Sequence, residues 1–165
     1  MSSLVRPSEA ATLAIHACAL MAAAGGAALT TSQMAGAIGA SEAHLSKVLQ
    51  RLSHSGLVAG RRGPGGGFTL AEEPASVSLL RVYEAVDGAL TGSGCLMGVP
   101  MCRGTECPLS SLLGEVEARI AEGLSAVTLA DLGPAVSRGL SKRATRKPER
   151  TRARGRRTHG ATTGR

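Results

Sequence analysis

The chain has 165 residues, 19 Lys+Arg against 12 Asp+Glu, four cysteines and two aromatic residues, Phe68 and Tyr83. That length suits one compact domain plus an accessory element or a long tail. Two rings exclude a single-strand binding platform and an aromatic cage for a quaternary ammonium, and four cysteines are too sparse for a small secreted disulfide scaffold. The net charge of +7 is unevenly spread. From Arg138 to Arg165 there are 11 Lys/Arg and one acid, Glu149, which gives +10; residues 1–137 hold 8 basic and 11 acidic residues, which gives −3. Any contact of the body with nucleic acid must therefore depend on where its few cations sit.

Residues 10–29 carry no formal charge, a pattern that invites a secretory or membrane reading. Glu9 at the start, the Gly25-Gly26 break and the dominance of Ala over Leu favour a buried first helix instead, from Ser8 to Ala24 with Ser8 as N-cap, in a cytoplasmic protein. A short helix over 32–38 follows, with Thr31 as N-cap and Gly39 as stop. A second starts at once with Ser41 as N-cap and runs to about Ser53, ending at Gly56 as a left-handed cap. Its Leu45, Val48, Leu49 and Leu52 fall on one face, with His44, Lys47, Gln50 and Arg51 opposite. Two short helices around a tight Gly turn form a helix-turn-helix pattern.

Residues 57–62 and 68–70 are brief runs around Gly63-Pro64-Gly65-Gly66-Gly67, which predicts a hairpin. A helix over 78–87 comes next, then a Gly-rich stretch over 91–107 with three cysteines. A long amphipathic helix over 109–126 carries Leu112, Leu113, Val116, Ile120 and Leu124 on one side. From Ser137 the chain is almost without apolar residues and is expected to be disordered, its +10 adding salt-dependent, sequence-independent DNA affinity.

A helix that enters the major groove needs small polar residues at its start and cations toward the phosphates. Ser41, Glu42, His44, Ser46 and Lys47 meet that need. The hairpin tip offers Arg61 and Arg62 to phosphates or a narrow minor groove, and Gly65 and Gly66 permit close backbone approach. A nucleotide-binding glycine loop would need a following helix and a Lys-Ser/Thr pair, and here Phe68-Thr69-Leu70 follows instead. No catalytic constellation is present, so an enzyme is not expected. The expected fold is mainly α with a small β-hairpin wing. The expected function is a regulator that binds a double-stranded DNA operator; the alternative is a winged-helix module that binds protein or RNA without a cofactor.

The blocks GLVAGRRGPGGGFTLAEEP (Gly56 to Pro74), SVSLLRVYEAVDG (Ser76 to Gly88) and VTLADL (Val127 to Leu132) resemble the Rrf2 family of bacterial winged-helix regulators, which includes iron–sulfur sensors. TLAIHACALMA (Thr12 to Ala22) is similar to the family's first helix. The resemblance covers about Ser8 to Leu132 and implies a homodimer held by the long helix near 109–126. It also implies that Arg62 is the wing arginine and that Ser41, His44 and Ser46 lie on the recognition helix. Three regions by role follow: a DNA-binding region over 1–75, a cysteine loop with dimerisation helix over 76–136, and the basic tail over 137–165.

Cys95-x6-Cys102-x4-Cys107 is the second constellation. Three thiols in a Gly-rich loop suit an iron–sulfur centre or zinc, and the resemblance raises an iron–sulfur cluster, 2Fe-2S or 4Fe-4S. Direct thiol or disulfide redox sensing is the second reading; structural zinc or no cofactor is the third. The spacing departs from the x5-x5 of the best-known iron–sulfur members, and Ser110 and Thr12 stand where those members place a His or an Asp as fourth ligand. Glu9 of the partner subunit is the nearest acidic candidate, with a small-molecule thiol or water as the alternative. Cys18 reads as a small buried hydrophobe and His16 as a residue satisfied within its helix.

Overall fold

The computed structural model describes residues 7–63, 65–90 and 108–136. The first helix is α1 (Glu9–Ala23), on which the next three α-helices and the hairpin pack. Ser8 caps it as expected, its hydroxyl accepting from the Ala11 amide at 3.0 Å. Ala11, Leu13, Ala14, Ala17, Cys18, Ala19, Leu20 and Met21 are all buried, so this helix is apolar nearly all round. The charge-free stretch is thus the core of a globular body, and no helix among the described residues is long and apolar enough to cross a membrane. Small side chains let neighbouring helices approach α1 closely.

Two helices follow, α2 (Thr31–Ile38) and α3 (Glu42–His54). The expected N-cap at Thr31 is corrected: Thr30 is the cap. Its hydroxyl accepts from the Gln33 amide at 3.2 Å, and the Gln33 carboxamide accepts from the Thr30 amide at 2.8 Å. Only Thr30 has Gln three residues on, so only there can both orphan donors be satisfied reciprocally. Gly39 ends α2 with φ +81°, a conformation that a side chain would strain, and the Ala40 amide bonds back to the Ala35 carbonyl at 3.0 Å. Leu45, Val48, Leu49 and Leu52 bury the inner face of α3 against the core. At its end the Leu57 amide reaches the Leu52 carbonyl and the Gly56 amide the Ser53 carbonyl, the paired bonds of a Schellman cap.

Strands β1 (Val58–Arg61) and β2 (Gly67–Leu70) pair antiparallel with Val58 opposite Leu70 and Arg61 opposite Gly67. The hairpin is stitched to the body by an unforeseen bridge, Leu29 to Phe68, with amide–carbonyl bonds of 3.0 and 2.8 Å. A Cβ at Gly67 would stand 2.6 Å from the Leu29 carbonyl oxygen, so the glycine there is required by that close approach.

Helix α4 (Leu79–Asp87), capped by Ser78, packs Val82 and Val86 on α1 and α3. Arg81 grips Glu72 with two hydrogen bonds of 2.9 and 2.8 Å, fixing the exit of the hairpin to α4 and holding the Glu72 carboxyl below its ordinary range. The long helix is α5 (Pro108–Ala126), which packs on α4. Beyond it Leu79 and Leu129 exchange backbone bonds with Val127 and Val77 at 2.9 and 3.0 Å. Residues 129–136 then form a further helix, α6, that sequence periodicity did not predict. Leu129 is fully buried, so the VTLADL block serves to close the core. The cysteine stretch over 91–107 and the basic tail from 137 lie outside the described residues.

Candidate nucleic-acid interface

The turn 39–41 sets α3 directly against α2, and Ser32 donates to the Glu42 carboxylate at 2.7 Å, locking the pair. Glu42 therefore has one oxygen committed inside the helix-turn-helix. Ser41 occupies the N-cap position but makes no capping bond with its side chain. His44 is half-buried, with Nδ1 3.5 Å from the carboxylate of Glu9 on α1. Ser46 is half-buried and Lys47 exposed. The sequence pattern grouped His44 and Arg51 with Lys47 and Gln50. The structure turns the first two aside, His44 toward α1 and Arg51 toward α4, where its guanidinium donates to the Val86 carbonyl at 3.0 Å. Ala43, Lys47, Gln50 and His54 form the outward stripe, all exposed. Gln50 and His54 were absent from the expected set, although their spacing of three and seven residues from Lys47 is the signal that finds them.

On the wing, Arg61 ends β1 and Arg62 opens the loop, both exposed. Gly65 is exposed as well. Gly66 is half-buried, and a Cβ there would lie 2.5 Å from the Arg61 carbonyl oxygen, so the turn itself requires this glycine. Two exposed arginines follow α3 on the hairpin, each able to make a bidentate contact with phosphate or base.

The family model of Rrf2, described as iron-dependent transcriptional regulator, matches residues 8–134. The chain belongs to the Rrf2 family. Curated relatives are named HTH-type transcriptional regulator IscR. The protein of Vibrio parahaemolyticus is 32% identical over 123 residues, 65% of this chain and 73% of that protein. The protein of Yersinia enterocolitica is 35% identical over 95 residues, 57% of each chain, so the match spans little more than half of that relative. Among solved structures, IscR of T. potens superposes with a TM-score of 0.65 at 22% identity, covering 88% of this chain and 94% of that one. CymR, named the global cysteine regulator of B. subtilis, gives 0.66 at 22% identity over 79% and 98% of the two chains. These likenesses support the winged-helix fold, and the relatives are transcription regulators, not enzymes. This Rrf2 chain is accordingly a transcription regulator of the IscR type.

The expected ligands Cys95, Cys102 and Cys107 lie outside the described residues. What the structure does describe is the point from which their segment departs. The Ser8 hydroxyl, at the start of α1, donates to the Asp87 carboxylate at the end of α4 at 2.6 Å. Glu9, the next residue, keeps its side chain 80% exposed. Among the described residues no three His, Cys, Asp or Glu side chains gather into a metal-binding group. Cys18 is fully buried and its thiol is pushed up to about 12 by desolvation, so it is chemically inert, as expected of a small core residue. His16 donates from Nδ1 to the Thr12 carbonyl at 2.7 Å, satisfied within its helix.

Proposed function

We propose that this Rrf2 regulator is a homodimer that reads a near-palindromic operator with α3 and the wing, and that its occupancy follows the state of the cysteine segment. The observation that carries the DNA reading is the exposed stripe of Ala43, Lys47, Gln50 and His54 beside the exposed Arg61 and Arg62. In this reading Ser41, Ala43, Ser46 and Gln50 face the bases, Lys47 and His54 face the phosphates, Glu42 and His44 orient the helix, and Gly65 and Gly66 let the wing backbone approach the duplex.

The dimer reading rests on α5. Leu109 and Leu112 are 45% and 57% exposed, and Leu113, Val116, Ile120 and Leu124 are only half-buried, although the helix has the apolar stripe of a packed element. A second copy of α5 is the occupant that a symmetric regulator supplies, and such a pair sets the spacing of the two recognition helices to about 34 Å, one turn of DNA.

Cys95, Cys102 and Cys107 would hold an iron–sulfur cluster in a cytoplasmic protein, with Glu9 of the partner subunit as fourth ligand. The donor chemistry fits, since three thiolates suit such a centre, and the Glu9 side chain is 80% exposed and so open to a second copy. When bound, the cluster supplies sensitivity to oxygen and nitric oxide. The residues of the chain convert its state into a shift between two arrangements of the segment, by no more than its differential affinity for them. Division by role then runs from a DNA-binding region over 1–75 to a sensing and dimerising region over 76–136.

Selection of duplexes from random sequence with the full chain, followed by footprinting, tests the DNA reading. A two-fold symmetric protected site is the expected result. Recovery of no preferred duplex, with binding to RNA or protein instead, would replace it with an interaction module.

A further inference from the structure

Between the C-terminal half of α3 and the end of α4 lies an open cleft of about 560 Å³, lined by Lys47, Gln50, Arg51, His54 and Ser55 of α3 and by Ala85 of α4. Positions 47, 50, 51 and 54 are spaced i, i+3, i+4 and i+7, so they share one edge of the helix. Among the described residues no carboxylate lines the cleft. This is the more telling because residues 1–137 are net acidic.

Arg51 is the preorganised element. The Val86 carbonyl that it binds belongs to the last turn of α4, where carbonyls lack intrahelical partners. One N–H of the guanidinium satisfies that carbonyl, and four N–H donors remain for a ligand. Holding the side chain in place on the protein removes much of the rotamer entropy that a free arginine loses on binding. Both adjoining helix ends present carbonyl oxygens, whose negative dipole ends disfavour an anion, so the cationic side chains alone must hold it here. The lining α3 residues Lys47, Gln50, Arg51 and His54 are all exposed, which fits a charged group on a polymer passing along the groove better than an enclosed small ion.

We propose that this cleft is a phosphate site, in which Arg51 and His54 with Lys47 take one backbone phosphodiester of the duplex that α3 enters. The inference rests on the reading of α3 as the recognition helix and adds a positioning contact to it. A phosphate contact there fixes the register of α3 on the duplex and carries no sequence information itself.

The test uses the full chain, a duplex recovered by selection and a scrambled duplex. Affinities are measured from 50 to 200 mM salt for the wild type and for Arg51→Gln/His54→Gln. Loss of one phosphate contact in each half-site lowers the salt slope of the dimer by about 1.8, so the affinity lost across that range becomes about twelvefold smaller in the variant. The preference for the selected over the scrambled duplex is expected to stay the same. Because Arg51 also binds Val86, Lys47→Gln alone, which leaves that bond intact, is expected to lower the slope in the same direction. Replacing single phosphates of the selected duplex by neutral methylphosphonate should reveal one position per half-site that weakens the wild type and leaves the double variant unchanged. An unchanged slope with no such position overturns the site. So does a response of His54 resonances to inorganic phosphate alone with the DNA arms unaffected, which would mark a free-anion site. Recovery of no preferred duplex would sink the operator reading along with this one, and is distinguishable from either result.

Discussion

Arg62 stands at the first position of the wing loop, exposed and beyond the last strand pair, Arg61 with Gly67. Nothing in the core depends on it, so its removal should act on DNA alone. Arg62→Ala is expected to weaken operator binding by about 1–3 kcal/mol, the worth of one well-placed groove contact, with thermal stability unchanged. A titration showing affinity within about twofold of wild type would take the wing out of the interface. Residue by residue, the chemistry of exposed side chains was legible from sequence, because type and spacing alone mark Lys47 or Arg62. Their commitments were not. That Glu42 holds Ser32, that His44 leans on Glu9 and that Arg51 caps α4 depends on helices meeting across 10 to 35 residues of chain.

Among the elements, α2 shows most plainly how local chemistry supports the interface. Its capping box at Thr30 and Gln33 orders eight residues whose inner face buries only Met34 and Ala35. So short a helix depends on its cap. Thr30→Ala should lower stability by about 0.5–2 kcal/mol and the melting temperature by about 2–8 °C. It should also weaken DNA binding, because α2 holds α3 through the Ser32–Glu42 bond. Unchanged melting would show that tertiary packing alone sustains α2. The helices α1, α3, α4 and α5 were each predicted within a residue or two, because cap residues and apolar periodicity agree there. The Leu29–Phe68 bridge and α6 escaped that reading, since a single paired residue has no period and residues 129–136 are short and mixed.

At the scale of the whole molecule, two predictions test the assembly. Leu112→Glu places a charge in the exposed apolar stripe of α5. Removing a buried leucine contact of about 1.5–3 kcal/mol should shift the monomer–dimer equilibrium by about 10- to 100-fold toward monomer, read by sedimentation, with loss of operator binding. A variant that sediments as the wild type would move the interface elsewhere. The second concerns the cysteine segment. Anaerobically purified protein should be brown, bleach with oxygen or nitric oxide and change its operator affinity on bleaching; Cys102→Ala should be colourless, since three thiolates are the minimum anchor. Wild type that stays colourless after anaerobic reconstitution, with Cys102→Ala binding DNA equally well, would leave a winged-helix regulator without a cluster.

The order of helices, the hairpin with its Gly-rich tip and the separation of a net acidic body from a basic tail were determined by the sequence itself. Each follows from local propensity, capping and charge, which act over a few residues. The tertiary structure alone decided that α3, α4 and the hairpin meet on α1, that Leu129 returns to seal the core, and that Ser8 ties the start of α1 to the end of α4. It also decided that Arg51 and Lys47 line one cleft with His54. Those relations come from packing between segments far apart in the chain, where the burial of apolar area fixes which faces meet and leaves polar side chains to pair with whatever the packing brings near.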